Sequence, residues 1–521
     1  MSDSRPKLLL FSHLCSPVNV TGAEKVLLLF VRELMRRFHC VLVVPQEGAL
    51  SEQARGIGIR VIVMDLPRCP SIYDAPPSTR EEADSLVRHP SWAGLLSMMA
   101  WENPSYIWVN TCVHLMPAMA AKCLGIPVVW NIHETITDTP NRQTSADLIT
   151  AHADIIAGVS DTVLSPLKGS GSPSMIWFPP FLYREELLPA GWAIKRARFR
   201  TNLGWSEEHR VAGVMAAHFQ PFKGLEPFVS SMLKVAESIP HARFLIAGNP
   251  IDQAHYEACR QAVAHSGMSD RFAWLGYVEN VHEIIPAVDA IVVPSLVAEG
   301  FGMTALEGMF FEKPVVAFAS GGLTELMSTT GNAELLVPVG DTEALAERVR
   351  TLFADEGRLR LIGLRCSEEA ERQFGADAFR ARVDSLIAML PPARPFPPSF
   401  LIRGSGPTIY LLENGKKCPF QSVHDFRSSG YSFNQVVVVN DDLLNRIEMG
   451  SPIGVVARRP RRQGRAKPRR RLCRSRPGRR CRRAATGKSR RRSSVRSRRG
   501  RGQGRRKSIV RRRSKSRKKT T

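Results

Sequence analysis

The sequence predicts an α/β protein with two facing Rossmann-like, doubly wound domains, a small C-terminal β-rich module and a disordered Arg-rich tail. Three observations predict it. Short β-branched runs alternate with longer amphipathic stretches, the alternation restarts after a Pro- and aromatic-rich segment at 177–183, and acidic and aliphatic residues all but vanish after 457. Such alternation gives βα units, a parallel sheet and helices on both of its faces. A chain of 521 residues suits about three domains, and 43% hydrophobic content is enough to bury their cores.

In the first domain, residues 1–185, the expected strands are 7–11, 40–44, 60–64, 106–109, 128–131 and 154–158. The opening run is broken by Ser12 and His13 and no small-residue cleavage site follows, so it reads as a strand and not as an export signal. The second domain, 186–390, repeats the pattern at 211–217, 243–247, 290–294, 314–318 and 335–338. Residues 391–399, Pro-Pro-Ala-Arg-Pro-Phe-Pro-Pro-Ser, form an expected linker stiffened by proline. The module at 400–457 has runs 410–412 and 416–419 flanking Asn414-Gly415, a hairpin signal because both turn positions tolerate positive φ, and a further strand at 435–439. With its Tyr-Leu-x-x-Asn-Gly-Lys core it resembles a short module appended to bacterial surface and envelope proteins, and no chemistry follows from it.

The net charge of +25 belongs to the tail. Residues 458–521 hold 33 Lys and Arg and no Asp or Glu, which leaves 40 basic against 48 acidic residues before them. With almost no aliphatic side chains the tail cannot offset the entropy of ordering, so it is expected to be disordered. Its charge density suits nucleic-acid phosphates, but only nonspecifically, because no aromatic residue is interleaved for base stacking. A merely solvated tail, or an altered-frame extension of GC-rich coding sequence, accounts for the composition equally well.

No apolar run approaches the roughly 20 residues that span a bilayer. Ten cysteines scattered from Cys15 to Cys481, with no Cys-x-x-Cys pair, suit a reducing compartment and neither a zinc site nor a disulfide framework. The expected location is the cytoplasm. Arg32, Arg36 and Arg37, beside Phe30 and Phe38 on the expected first helix, offer a face for peripheral contact at the inner membrane, although a solvated basic face reads the same way.

The chemistry concentrates in 289–322, which reads as strand, glycine loop, helix, strand, glycine turn. Gly300 and Gly302 let backbone pass close to a ligand, and the free amides of the helix start at 302–304 present partial positive charge to an anion such as a diphosphate. Glu307 lies about one and a half turns on, and helical side chains slant back toward the N-terminus, so its carboxylate can reach ribose hydroxyls held over that end. Glu299, at the carboxyl end of its strand, stands where open α/β sheets place ligand groups and can accept hydrogen bonds from a sugar. Each residue alone is also what an ordinary helix flank carries. The spacing Glu-x7-Glu around Gly300-Phe301-Gly302, followed by Pro-Val-Val-Ala and Gly321-Gly322, selects the ligand-binding reading.

With these motifs the sequence resembles the family 4 glycosyltransferases of the GT-B fold, retaining enzymes that use nucleotide-activated sugars. The likeness covers about residues 7–390 and includes Gly22-Ala23-Glu24, Ile126-Pro127-Val128 through His133-Glu134, Ala157-Gly158-Val159-Ser160 and Lys223-Gly224. It implies that Lys223 binds the diphosphate, Glu307 the ribose, and Glu299 the donor sugar in a contact essential for transfer. Phe301 would stand with Gly300 and Gly302 in the donor loop, and His133 would face them from the first domain. By itself His133 is also what a strand end carries for structure, and Gly22 reads equally as a helix cap or as the loop that admits the diphosphate. The resemblance implies no metal and no cofactor beyond the nucleotide-diphosphate sugar as co-substrate; no Asp-x-Asp pair occurs.

Three departures stand out. Thr21-Gly22 replaces a common glycine pair, the usual interdomain Asn-Gly is missing around 178–183, and His218 stands five residues before Lys223 where family members commonly have Arg. Histidine there donates to a phosphate but is charged only at lower pH. The expected activity is hexosyl transfer to a saccharide or lipid-linked acceptor hydroxyl, in surface polysaccharide or glycolipid assembly. The alternative is a non-catalytic protein of the same fold whose module and tail bind partners or nucleic acid. A phosphorylase of this architecture would need a pyridoxal-lysine signature, which is absent.

Overall fold

Strands buried between two helical layers must be apolar on both faces, and the β-branched runs meet that requirement. In chain order the first set comprises β1 (Lys7–Phe11), β2 (His39–Val44), β3 (Arg60–Val63), β4 (Tyr106–Asn110), β5 (Val128–Ile132), β6 (Ile155–Gly158) and β7 (Ser174–Trp177). They pair in parallel in the order β3-β2-β1-β4-β5-β6-β7. The second set is β8 (Arg210–Phe219), β9 (Ala242–Pro250), β10 (Phe272–Gly276), β11 (Ala290–Val293), β12 (Val315–Phe318) and β13 (Leu336–Val337). It forms a parallel sheet in the order β10-β9-β8-β11-β12-β13. In each sheet the winding reverses once, between β1 and β4 and between β8 and β11. Open α/β sheets bind ligands outside the carboxyl ends of the strands at such reversals.

This computed structural model describes residues 5–454 apart from 18–19, 170, 393–398, 414–415, 434–435 and 439–440. Most of the expected linker, the Asn414-Gly415 turn and the whole 458–521 tail therefore lie outside the described residues. After the linker come β14 (Ser399–Arg403), β15 (Ile409–Glu413), β16 (Lys416–Pro419), β17 (Val436–Val438) and β18 (Glu448–Met449), a mixed sheet in the order β17-β14-β15-β16-β18. Its core gathers Leu401, Ile409, Leu411, Phe420 and Phe426.

One helix crosses from the second sheet back to the first. The sequence places Ala376–Met389 in the second domain, yet its apolar stripe Phe379, Val383 and Leu386 buries into the core of the first. The Phe379 ring stacks on Phe181 at 4.2 Å and on Phe30 at 4.8 Å. Arg380 bonds Glu33 at 3.0 Å, and the same carboxylate accepts the Tyr183 hydroxyl at 2.7 Å. An apolar stripe states that a helix must be covered, not which sheet covers it.

The basic residues of the first helix, Gly22–Leu34, and of the turn after it have partners within the protein. Phe30 and Phe38 are buried, Arg32 bonds Glu186 and lies over the Tyr183 ring at 4.2 Å, Arg36 is 3.8 Å from Glu33, and Arg37 bonds Asp384. Arg32 and Arg37 thereby tie the first helix region to segments far along the chain. Among the described residues no helix is long and apolar enough to cross a membrane.

Candidate active site

Beyond β8 the chain makes a tight turn, Pro221–Lys223, and Gly224, at φ 76°, opens helix Leu225–Ser238. A side chain at 224 would put its Cβ 1.8 Å from the Pro294 carbonyl oxygen, and the Leu296 amide donates to Phe222 O at 2.8 Å. The Lys223 turn is thereby fixed to the loop after β11, across the reversal in the second sheet. Lys223 Nζ donates to Glu299 Oε1 at 2.7 Å, and the Ser295 hydroxyl donates to the same oxygen. The Glu299 backbone is held too, by a bridge to Gly321 and by the Gly322 amide at 2.7 Å. The ammonium expected at a diphosphate and the carboxylate expected at a sugar are thus paired with each other.

The glycine loop follows. Gly302, at φ 108°, sits at the N-cap of helix Met303–Phe310, whose first residues line the cleft, an arrangement suited to an anion. Gly300 has a different reason for lacking a side chain. Its Cβ would fall 1.8 Å from the carbonyl oxygen of His133, so the first domain itself occupies that space and the expected close pass of a ligand is not what demands glycine there. Phe301 is 7% exposed and sets its ring edge-on to Phe374 at 5.4 Å.

His133 arrives from the end of β5. Its Nε2 lies 2.6 Å from Asn131 Oδ1 and 2.9 Å from Asn110 Oδ1. Asn131 Nδ2 donates to Ala157 O, which turns the amide oxygen toward the imidazole, so Nε2 carries the hydrogen and Nδ1 is left as an acceptor. Burial, reinforced by His13, pushes the His133 pKa down to about 3, which keeps the ring neutral near pH 7. Gly22 begins the first helix behind Thr21, whose amide is capped by Glu24 at 2.7 Å. A Cβ at 22 would meet nothing within 4 Å.

Gly22, His133, His218, Lys223, Glu299 and Gly300 line one cleft of about 580 Å³ between the carboxyl ends of the two sheets. Glu307 does not line it. Its carboxylate faces two adjoining hollows of about 460 and 110 Å³, and the smaller shares Gly22, Ala216 and Thr304 with the main cleft. One helix start therefore separates Lys223 and Glu299 on one side from Glu307 on the other.

Sequence reasoning missed several residues around these spaces. The smaller hollow is walled by Ala216, Ala247, Tyr277 and Val278, none of which the motifs mark as a ligand contact. His282 lies 3.4 Å from Glu307 Oε1 in a segment with no motif. In the first domain His13, His114 and Glu134 gather beyond β1, β4 and β5. Glu134 accepts the Cys112 amide at 3.0 Å and its pKa is raised by burial, while burial lowers His114 to about 3 and His13 to about 4. Strand-end position was the available signal for all three.

Two family models match the chain, "Glycosyl transferase 4-like domain" over residues 21–174 and "Glycosyl transferases group 1" over 210–355. The putative glycosyltransferase EpsD of Bacillus subtilis is 28% identical over 198 residues, 37% of this chain and 50% of that protein. The lipopolysaccharide core biosynthesis mannosyltransferase LpsB of Rhizobium meliloti is 32% identical over 142 residues, 26% of this chain and 40% of that one. The chain thus spans about half the length of the curated relatives it matches. Among solved structures, Anabaena Alr3699/HepE in complex with UDP and glucose superposes with a TM-score of 0.62 at 19% identity, covering 74% of this chain and all of that one, a likeness of fold.

Proposed function

The chain belongs to the group 1, or family 4, glycosyltransferases, and from that premise we propose that it transfers a sugar from a nucleotide-diphosphate donor to an acceptor hydroxyl. One observation carries the reading: the winding reversals of both sheets open on a single cleft, and the paired Lys223 and Glu299 line it. The diphosphate sits at Lys223 and the start of helix Met303–Phe310, where an ammonium and amide dipoles stabilise the charge that builds on the leaving group. Ribose reaches over the helix start to Glu307, and the base enters the hollow walled by Ala216, Ala247 and Tyr277.

Glu299 accepts hydrogen bonds from the sugar once the diphosphate has taken its place at Lys223. Neutral His133 meets the sugar from the opposite wall through Nδ1, which accepts from a hydroxyl. The acceptor comes from the first-domain side. Its hydroxyl oxygen bonds to the anomeric carbon as the bond to the diphosphate oxygen breaks, and its proton passes to that departing oxygen, with retention at the anomeric centre. The acceptor class, a surface polysaccharide or glycolipid intermediate, is supported by LpsB, and a UDP-linked donor by the ligands of HepE.

The experiment is a panel of nucleotide sugars scored for thermal stabilisation, since a ligand that binds only the native state raises its stability, followed by turnover of whichever one binds. Lys223→Ala and Glu299→Ala should each lower turnover by on the order of 10²-fold or more. Unchanged turnover in both variants refutes the site.

A further inference from the structure

The hollow that holds Glu307 contains a side chain to which neither the motif nor the proposed chemistry gives a task. His282 lies in the turn Val281–Glu283 after β10, its amide capped by Asn280 Oδ1 at 3.1 Å and its neighbour Glu283 tied to Lys195 at 2.7 Å. The imidazole lies 5.3 Å from the ring of Phe311, which is fully buried. Backbone and ring are thus both fixed. Its Nε2 is shut off from solvent and makes no hydrogen bond, yet it stands 3.4 Å from Oε1 of Glu307, whose side chain is itself only 11% exposed. Two buried polar groups face each other just beyond bonding geometry, in a hollow also lined by Lys25, Glu279 and Tyr277.

A buried nitrogen left without a partner is a cost, and folded proteins retain few of them. A small rotation of the Glu307 carboxylate would satisfy this one and leave the second oxygen free for a ligand. We propose that His282 is a positioning residue for the donor nucleoside: its Nε2–H holds one oxygen of Glu307 so that the other accepts a ribose hydroxyl. The inference rests on the reading of Glu307 as the ribose ligand. It adds that the carboxylate is aimed by a residue outside the Glu-x7-Glu motif, and that part of the preference for a ribonucleotide over a deoxyribonucleotide donor comes from His282.

The test uses the full-length protein and three probes, UDP, 2′-deoxy-UDP and 3′-deoxy-UDP, with dissociation constants measured by calorimetry. His282→Phe keeps a ring against Phe311 and removes the donor. His282→Gln returns an N–H near the position of Nε2. The wild type is expected to prefer UDP over at least one deoxy analogue. His282→Phe should weaken UDP by about tenfold, the scale of a hydrogen bond to a charged group, while leaving that analogue unchanged. His282→Gln should recover most of the loss. With a donor sugar, His282→Phe should raise KM and leave kcat within about twofold, as loss of uniform binding does.

A merely structural role would weaken UDP and its analogues alike, and that result overturns the inference. If Glu307→Ala erases the ribose preference while His282→Phe does not, the positioning role alone falls. If Glu307→Ala leaves the preference intact, the ribose reading fails and takes this inference with it.

Discussion

Replacing Glu299 should have opposite effects on nucleotide binding and on turnover. Lys223 donates to the Glu299 carboxylate at 2.7 Å, with the two side chains 33% and 18% exposed. A diphosphate arriving at Lys223 must displace that carboxylate and then sit near it. A partly exposed pair of this kind contributes about 1 kcal/mol. At roughly 1.4 kcal/mol per tenfold in affinity, Glu299→Ala should tighten binding of the nucleotide diphosphate by about fivefold. The same substitution removes the sugar contact in the transition state and should lower kcat by on the order of 10²- to 10³-fold, as loss of a preorganised polar contact does elsewhere. Lys223→Ala should lose on both counts. Calorimetry with the nucleoside diphosphate, which lacks the sugar, isolates the ion-pair effect, and initial rates at saturating donor measure kcat. Weakening of the diphosphate in Glu299→Ala to the level of Lys223→Ala would refute the competition argument, and a kcat within twofold of wild type would refute the catalytic one.

Two further outcomes follow from the close approach of the domains and from the buried histidines. Gly300→Ala forces a Cβ to within 1.8 Å of the His133 carbonyl oxygen and should lower Tm by several degrees, whereas Gly22→Ala, whose Cβ meets open space, should leave Tm unchanged and alter only donor KM; equal Tm losses would contradict this. His114 and His133, held near 3, and His13, held near 4, have folded pKa values below the ordinary value of 6.5. The unfolded chain therefore binds more protons between about pH 4 and 6.5. Each contribution is fully present above 6.5 and is lost as pH falls, at up to roughly 1.4 kcal/mol per pH unit per histidine. Denaturant titrations of His114→Gln and wild type between pH 4.5 and 7 should show a shallower slope in the variant, and identical slopes would exclude the buried neutral state.

The features legible in the sequence were those in which a local pattern implies its own consequence. Alternation of β-branched runs with amphipathic stretches yields parallel sheets whatever lies opposite, and Glu-x7-Glu around a glycine loop sets a carboxylate on either side of one helix start. β7 and β10, edge strands reading Ser-Met-Ile-Trp and Phe-Ala-Trp-Leu-Gly, are apolar but hold a single β-branched residue, Ile176, between them, so a search for β-branched runs passes over them. Helix Ala376–Met389 falls inside the expected second domain, and nothing in its own residues assigns it to the first core, since the choice of sheet is settled by Phe30, Phe178 and Phe181, more than 190 residues earlier. His282 was invisible for the same reason: its significance lies in a 3.4 Å approach to a side chain in another element.

Gly300 shows the limit most sharply. The sequence records a glycine there, and the motif suggests that a ligand requires it. What fills the space is the His133 carbonyl of the other domain. Its neighbour Gly302 meets Leu323 within its own domain and needs glycine for its positive φ. Two glycines two residues apart therefore answer to different demands, one to the meeting of the domains and one to the helix start. A substitution at 300 should be read first as a change in how the domains close, and only through that as a change in donor binding.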